Sequence, residues 1–225
     1  MNEKKNNPFL EIIINIVIPS FILIKFSYKL GQLNSFFLAL SFPFLYSIYN
    51  FFREKKFNFF SIIGFINILL TGSLGFLKLE GFWFAIKEAT IPFIIGISVI
   101  ISIKFNPIIK ILIYNDSIIN VEKVNNALEK RNNKSQFEKL IISTNYILAS
   151  SFFLSSILNF LLALIILKSP PGTTEFNQEL GKMNALSFPI IVLPSMVIII
   201  FTFWKLINGI IKLTDLKLEE ILKNK

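Results

Sequence analysis

The stretch KFNPIIKILIYNDSIINVEKVNNALEKRNNKSQFEK, Lys104–Lys139, decides how the rest of the chain is read, because it is the one long polar segment among apolar runs. Four such runs precede it and two follow. Within it Lys104, Lys110, Lys123, Lys130, Arg131, Lys134 and Lys139 outnumber Asp116, Glu122, Glu129 and Glu138. Lysine and arginine concentrate in the cytoplasmic connections of membrane proteins, so this connection is assigned to the cytoplasm and the topology follows from it.

Composition points the same way. The 225 residues are 53% hydrophobic and only 16% charged, with a mean hydropathy of +0.64, which is the profile of a membrane protein rather than of a soluble domain. The formal charge of +9 does not indicate nucleic acid. Its basic residues cap apolar runs instead of lining a helix or an aromatic sheet that could follow a phosphate backbone. With no cysteine and no histidine the chain lacks a thiolate nucleophile, the usual general base and the commonest metal ligand. No catalytic residue, metal or cofactor is assigned, and the chain reads as a non-enzyme. Heavy use of Ile, Phe, Lys and Asn is also what an AT-rich genome produces, which weakens the meaning of any lone asparagine.

The apolar runs predict an all-α, polytopic membrane protein with six spans in a single membrane domain, at about 9–26, 33–52, 57–77, 82–103, 140–167 and 185–207. Each has about the 20 residues that a hydrocarbon core roughly 30 Å thick demands. The first run follows Lys4 and Lys5 and lacks a small-residue cleavage site at its far end, so it reads as a retained span with its amino end inside. Pro43, Pro92, Pro189 and Pro194 are expected to bend their spans. Ala39–Pro43 and Ala185–Pro189 are both Ala-Leu-Ser-Phe-Pro, which chance in a biased composition explains better than internal duplication.

Inside the connection, Pro107–Tyr114 is short and apolar around Lys110, as an interfacial helix would be. Val121, Val124, Leu128 and Arg131 recur at helical spacing and predict a cytoplasmic helix over Ser117–Lys130, capped by Asp116 or Ser117 and stopped by Asn132 and Asn133. Ser135 followed by Glu138 fits a capping box opening the fifth span. Ser169–Lys182 reads as the longest outer loop. The tail alternates lysines with Leu213, Leu216, Leu218, Ile221 and Leu222 and reads as a cytoplasmic surface-lying helix. On this layout 17 of the 23 lysines and arginines fall on the cytoplasmic side, with both termini inside.

Chemistry is confined to a few intramembrane polar residues. Lys87 and Glu88 lie inside the fourth apolar run, about 8 Å from its outer end at about 1.5 Å per residue. Adjacent residues on a helix point about 100° apart and need not pair, and a charge near mid-membrane costs about 3 kcal/mol unless it meets a partner or water. A partner helix or a cavity is one reading. The plainer one is that Lys87 snorkels outward while Glu88 makes one structural pair. Glu88, Pro92 and Gly96 share a face where the proline frees a carbonyl. Glu11, Asn15 and Pro19 are four apart in span one, Asn67, Thr71 and Gly75 in span three, and Ser151, Ser155, Asn159 and Ala163 in span five. These stripes read first as helix-packing seams and second, through Asn67, Asn159, Glu11 and Asn15, as walls of a polar site with Lys87 and Glu88.

Span one with Pro19, Phe21 and Tyr28-Lys29-Leu30, the basic stop Arg53-Glu54-Lys55-Lys56, Trp83–Ile91 and Asn159 together resemble the bacterial intracellular septation protein A family. Lys87-Glu88-Ala89-Thr90-Ile91 departs from that family's Lys-Pro-Thr pattern by one residue between lysine and threonine, and Lys104–Lys139 and the outer loop are longer. The resemblance implies a small multi-pass protein of the bacterial inner membrane involved in cell-envelope maintenance or septation. Its partners would be envelope or division membrane proteins, and its cytoplasmic basic faces would favour anionic lipid. The alternative is a transporter or binding protein for an ion, small molecule or lipid, using Lys87 and Glu88.

Overall fold

Unbroken apolar runs with few β-breaking turns favour helix, and helix is what forms. In the computed structural model the described residues are 13–54, 70, 77, 80–113 and 119–222. They comprise α1 (Ile13–Leu30), α2 (Gln32–Glu54), α3 (Gly81–Ser102), α4 (Ile108–Ile113), α5 (Val121–Lys130), α6 (Lys134–Ile166), α7 (Thr174–Thr214) and α8 (Leu218–Ile221). Among the described residues the only β pairing is an isolated antiparallel bridge between Ile119 and Leu222.

Among the described residues four helices are long and apolar enough to cross a membrane: α1, α3, α6 and α7, of 18, 22, 33 and 41 residues. Within the chain only 28% of the apolar window of α1, α3 and α6 is buried, and 17% of that of α7. Faces so apolar and so uncovered need an apolar surround, which makes this a membrane protein. The expected span at 33–52 lies within α2. The one at 57–77 falls outside the described residues except for Leu70 and Leu77.

The largest departure from expectation is at 173–182, expected as outer loop and found as the start of α7. Thr173 caps the helix, its Oγ accepting the Phe176 N–H at 3.1 Å. Phe176, Leu180 and Met183 are buried at the i, i+4, i+7 spacing of a helix face. Its polar residues belong to the other face of that helix, which is why composition alone reads as loop. The expected span at 185–207 is thus the middle of a longer helix, and the connection before it shortens to 167–173, with Gly172 at φ 85°.

Among the described residues two π-helical turns interrupt this order, Ile13–Val17 in α1 and Phe188–Val192 in α7. Each is followed by a proline in the first turn of the α-helix beyond, Pro19 and Pro194. A proline ring clashes with the carbonyl four residues back. Those residues, Asn15 and Ile190, are the middle residues of the two π turns, where the wider register makes room. Pro43 and Pro92 sit inside regular α-helix. Ala39–Pro43 therefore stays α-helical where the identical Ala185–Pro189 enters a π turn, and the difference follows the downstream Pro194.

The chain divides into two units, Met1–Ile91 with Ile157–Ile191, and Pro92–Ser156 with Val192–Lys225. In the first, α1 and α2 form a hairpin turning at Gly31, whose φ of 79° favours glycine. Leu23, Phe36, Ala39, Phe84, Ala163 and Phe176 fill its core, with the Phe84 and Phe176 rings edge-to-face at 5.0 Å. Gly181 packs so closely on α1 that a Cβ there would lie 2.9 Å from the Ser20 carbonyl oxygen.

In the second unit Val99, Ile109, Leu128, Ile141, Ile210 and Ile221 form the core. A short helix, α4, forms where an interfacial one is expected, with Ile109 and Ile113 buried. The helix expected over Ser117–Lys130 begins later, at Val121. Asn120 is its cap, accepting the Lys123 N–H at 3.1 Å, while Asp116 and Ser117 lie outside the described residues. Asn132 ends that segment with φ 55°, as its side chain permits. The helix α6 opens at Lys134, so Ser135 lies inside its first turn and the expected capping box is not its start. Nor does the tail lie as a separate surface helix. It stops at Asp215 in the left-handed region and folds into α8, whose Ile221 is buried in this core.

Candidate functional site

Helix α3 carries the two charges singled out from sequence. Phe84 and Ala85 on its first turns are fully buried and pin it in the core of the first unit. The register so imposed puts Lys87 inside as well, with 6% of its surface exposed. Its ammonium donates to Glu88 Oε1 at 2.6 Å, and the Glu88 side chain is 19% exposed. The two residues pair with each other, and Lys87 does not snorkel outward. Long, flexible lysine and glutamate side chains bridge the 100° between neighbouring positions when desolvation favours contact over separation.

The other candidates lie on separate elements or outside the described residues. Asn15 is exposed on the π turn of α1, and Asn159 is partly buried on α6. Glu11 and Asn67 lie outside the described residues. Of the serine stripe on α6, Ser151 and Ala163 are buried and Ser155 and Asn159 are intermediate, as on a packing seam. Pro92 is partly buried, and Gly96 lets the Phe153 ring approach to 3.1 Å from where a Cβ would stand.

Two buried polar centres were not read from the sequence. In the first unit Asn177 donates from Nδ2 to the Gln32 carbonyl at 2.7 Å and to Ser35 Oγ at 3.2 Å. Ser35 and Ser27 share a hydrogen bond at 3.0 Å. Ser27 and Ser35 are fully buried, and the cluster joins α7 to the α1–α2 hairpin. In the second unit Asn145 donates to the Val99 carbonyl at 2.7 Å and accepts the Ile109 N–H at 3.2 Å. One amide thereby satisfies the end of α3 and the start of α4, two places where helices leave backbone groups unpaired. Thr144 beside it returns its hydroxyl to Leu140. Both clusters are satisfied internally, as structural polar groups are.

At the far end of the second unit the polar connection is tied to the tail. Asn120 N–H donates to the Ile221 carbonyl at 2.8 Å and Asn133 Nδ2 to the Leu213 carbonyl at 2.8 Å. Lys123 pairs with Glu220 at 2.9 Å, and Arg131 with Asp215. The Lys217 backbone N–H and the Lys123 ammonium beside it hold the Glu220 carboxyl below the usual carboxylate range.

Comparison with models of protein families, with curated proteins and with solved structures finds no match.

Proposed function

We propose that this chain is a six-span protein of the bacterial inner membrane, with both termini cytoplasmic. In this reading it serves cell-envelope maintenance or septation as a non-enzymatic scaffold, through contacts with other membrane proteins. The observation supporting a scaffold is the Lys87–Glu88 contact at 2.6 Å. A transport path presents its charges to the cargo, whereas these two neutralise each other against a packed core. The sparse burial of α7 leaves a long apolar face for lipid or a partner helix. The topology rests on the lysine and arginine bias, and the envelope role on the resemblance to the septation protein A family. Mild crosslinking in intact cells followed by purification should recover specific envelope or division proteins. Recovery of none above a control multi-pass protein would remove this reading.

A second reading, transport or binding of an ion, small molecule or lipid, draws on the burial of Lys87 within a membrane-spanning helix. It requires Glu88→Gln to change uptake, ligand binding or growth under stress. Indifference in all three ends it.

A further inference from the structure

The second unit contains a cavity of about 470 Å³, within the range of pockets that take small ligands, and neither Lys87 nor Glu88 lines it. Its walls come from the end of α3, from α4, α5 and the first turns of α6. Two chemistries meet there. Ile103, Phe137, Ile141 and Ile142 supply apolar lining, and Lys110, Asn125, Glu129, Lys134 and Glu138 supply polar lining.

Ile142 in the apolar lining is 39% exposed, and nearby Phe105, Ile111 and Tyr146 are exposed apolar or amphipathic side chains with no core to enter. Aromatic and aliphatic residues so placed beside lysines mark the headgroup level of a bilayer. The lining balances two ammonium groups with two carboxylates, which disfavours a purely anionic ligand. Lys134 and Glu138 are one helical turn apart on the same face, about 6 Å between Cβ atoms, a span that a short linker between phosphate and amine can match. Lys134 is paired with Glu129, but both are more than half exposed, so that pair is weak and exchangeable. Glu138 has no ion-pair partner among the described residues.

We infer that this cavity binds the headgroup of a zwitterionic phospholipid carrying a primary amine, an ethanolamine phospholipid. Lys110 and Lys134 receive its phosphate, Glu138 receives its ammonium group, and the apolar lining receives the start of its acyl chains. Only the choice of the cytoplasmic leaflet rests on the topology proposed above. The binding test below uses nanodiscs open on both faces and does not depend on it.

The full chain is reconstituted in nanodiscs holding equal parts of ethanolamine, choline and glycerol phospholipids, released, and its retained lipid counted by native mass spectrometry. Ethanolamine phospholipid is expected to be enriched. Glu138→Gln should reduce that enrichment roughly tenfold, the effect of one charge-assisted hydrogen bond. Lys110→Gln should reduce it too and Lys110→Arg preserve it. Glu138 is exposed on α6, so its variant keeps the fold, and an unchanged unfolding midpoint checks this. Lys168→Gln, a substitution at an exposed position of the first unit, should change nothing. Enrichment of choline or glycerol lipid instead, or an ethanolamine preference unaffected by Glu138→Gln, overturns the proposal. Displacement of the lipid by an equal concentration of soluble phosphoethanolamine overturns the membrane as the ligand's source.

Discussion

Lys87 and Glu88, neighbours in sequence, are also partners in space, with Nζ 2.6 Å from Oε1 and the lysine side chain 5% exposed. Removing one member of a buried pair strands the other charge, whereas replacing both with apolar residues removes the desolvation cost as well. Glu88→Gln and Lys87→Met should each destabilise the protein by about 3 kcal/mol. The double variant Lys87→Met with Glu88→Leu should lie within about 1 kcal/mol of wild type. Thermal unfolding of the four proteins in one detergent gives the cycle, and a double variant as damaged as the sum of the singles would contradict coupling between the two charges.

Asn145 is fully buried and serves two helices with one amide. Asn145→Leu keeps the branched shape but leaves the Ile109 N–H and the Val99 carbonyl unpaired, which should cost about 2 to 3 kcal/mol. Hydrogen exchange at Ile109 is the direct readout. It should accelerate in the variant well before exchange in the middle of α6 does.

Charge counts and apolar runs made the membrane class legible, because the bilayer imposes one length and one composition on everything that crosses it. Helix type within a run was not legible in the same way. The pentapeptide shared by Ala39–Pro43 and Ala185–Pro189 goes two ways, and the deciding residue, Pro194, lies outside it. Polar residues were misjudged where polarity was equated with exposure. Asn177 stood in an expected loop and Ser27 just beyond the expected end of the first span, yet both are buried in one hydrogen-bonded cluster. Lys87 and Glu88 were found as charges, but their pairing depends on how α3 is rotated by Phe84 and Ala85, which only packing fixes.

Glu220 ties α8 to α5 through Lys123, and its carboxyl titrates below the usual range because the Lys217 backbone N–H and then Lys123 bind its charged form. A lowered folded-state value means that ionised Glu220 favours the docked tail. Its contribution is complete above the ordinary carboxylate value and is lost as pH falls through the lowered one. Amide exchange at Ile221, corrected for intrinsic pH dependence, should therefore be constant through neutrality and lose protection only in that acidic window. Glu220→Gln should flatten the step. A step unchanged by this substitution would assign the titration to another carboxylate, with Asp215 on Arg131 the next to vary.

Ser20 and Ser27 stand two turns apart on α1 and should respond to the same substitution with opposite signs. Ser27 returns its hydroxyl to the Leu23 carbonyl at 2.7 Å and meets Ser35 as well, so Ser27→Ala should cost about 1 kcal/mol. Ser20 is also buried, but its hydroxyl has no partner among the described residues. The carbonyl it would take in a regular helix belongs to Ile16, inside the π turn that accommodates Pro19. Ser20→Ala should thus leave stability unchanged or raise it by about 1 kcal/mol, since an unmet buried hydroxyl is removed. Ser195, placed identically after Pro194 and also unpartnered among the described residues, should behave as Ser20 does. Side-by-side unfolding midpoints decide it. Loss of stability in Ser20→Ala to match Ser27→Ala would mean that the π turn holds a water or ligand against that hydroxyl.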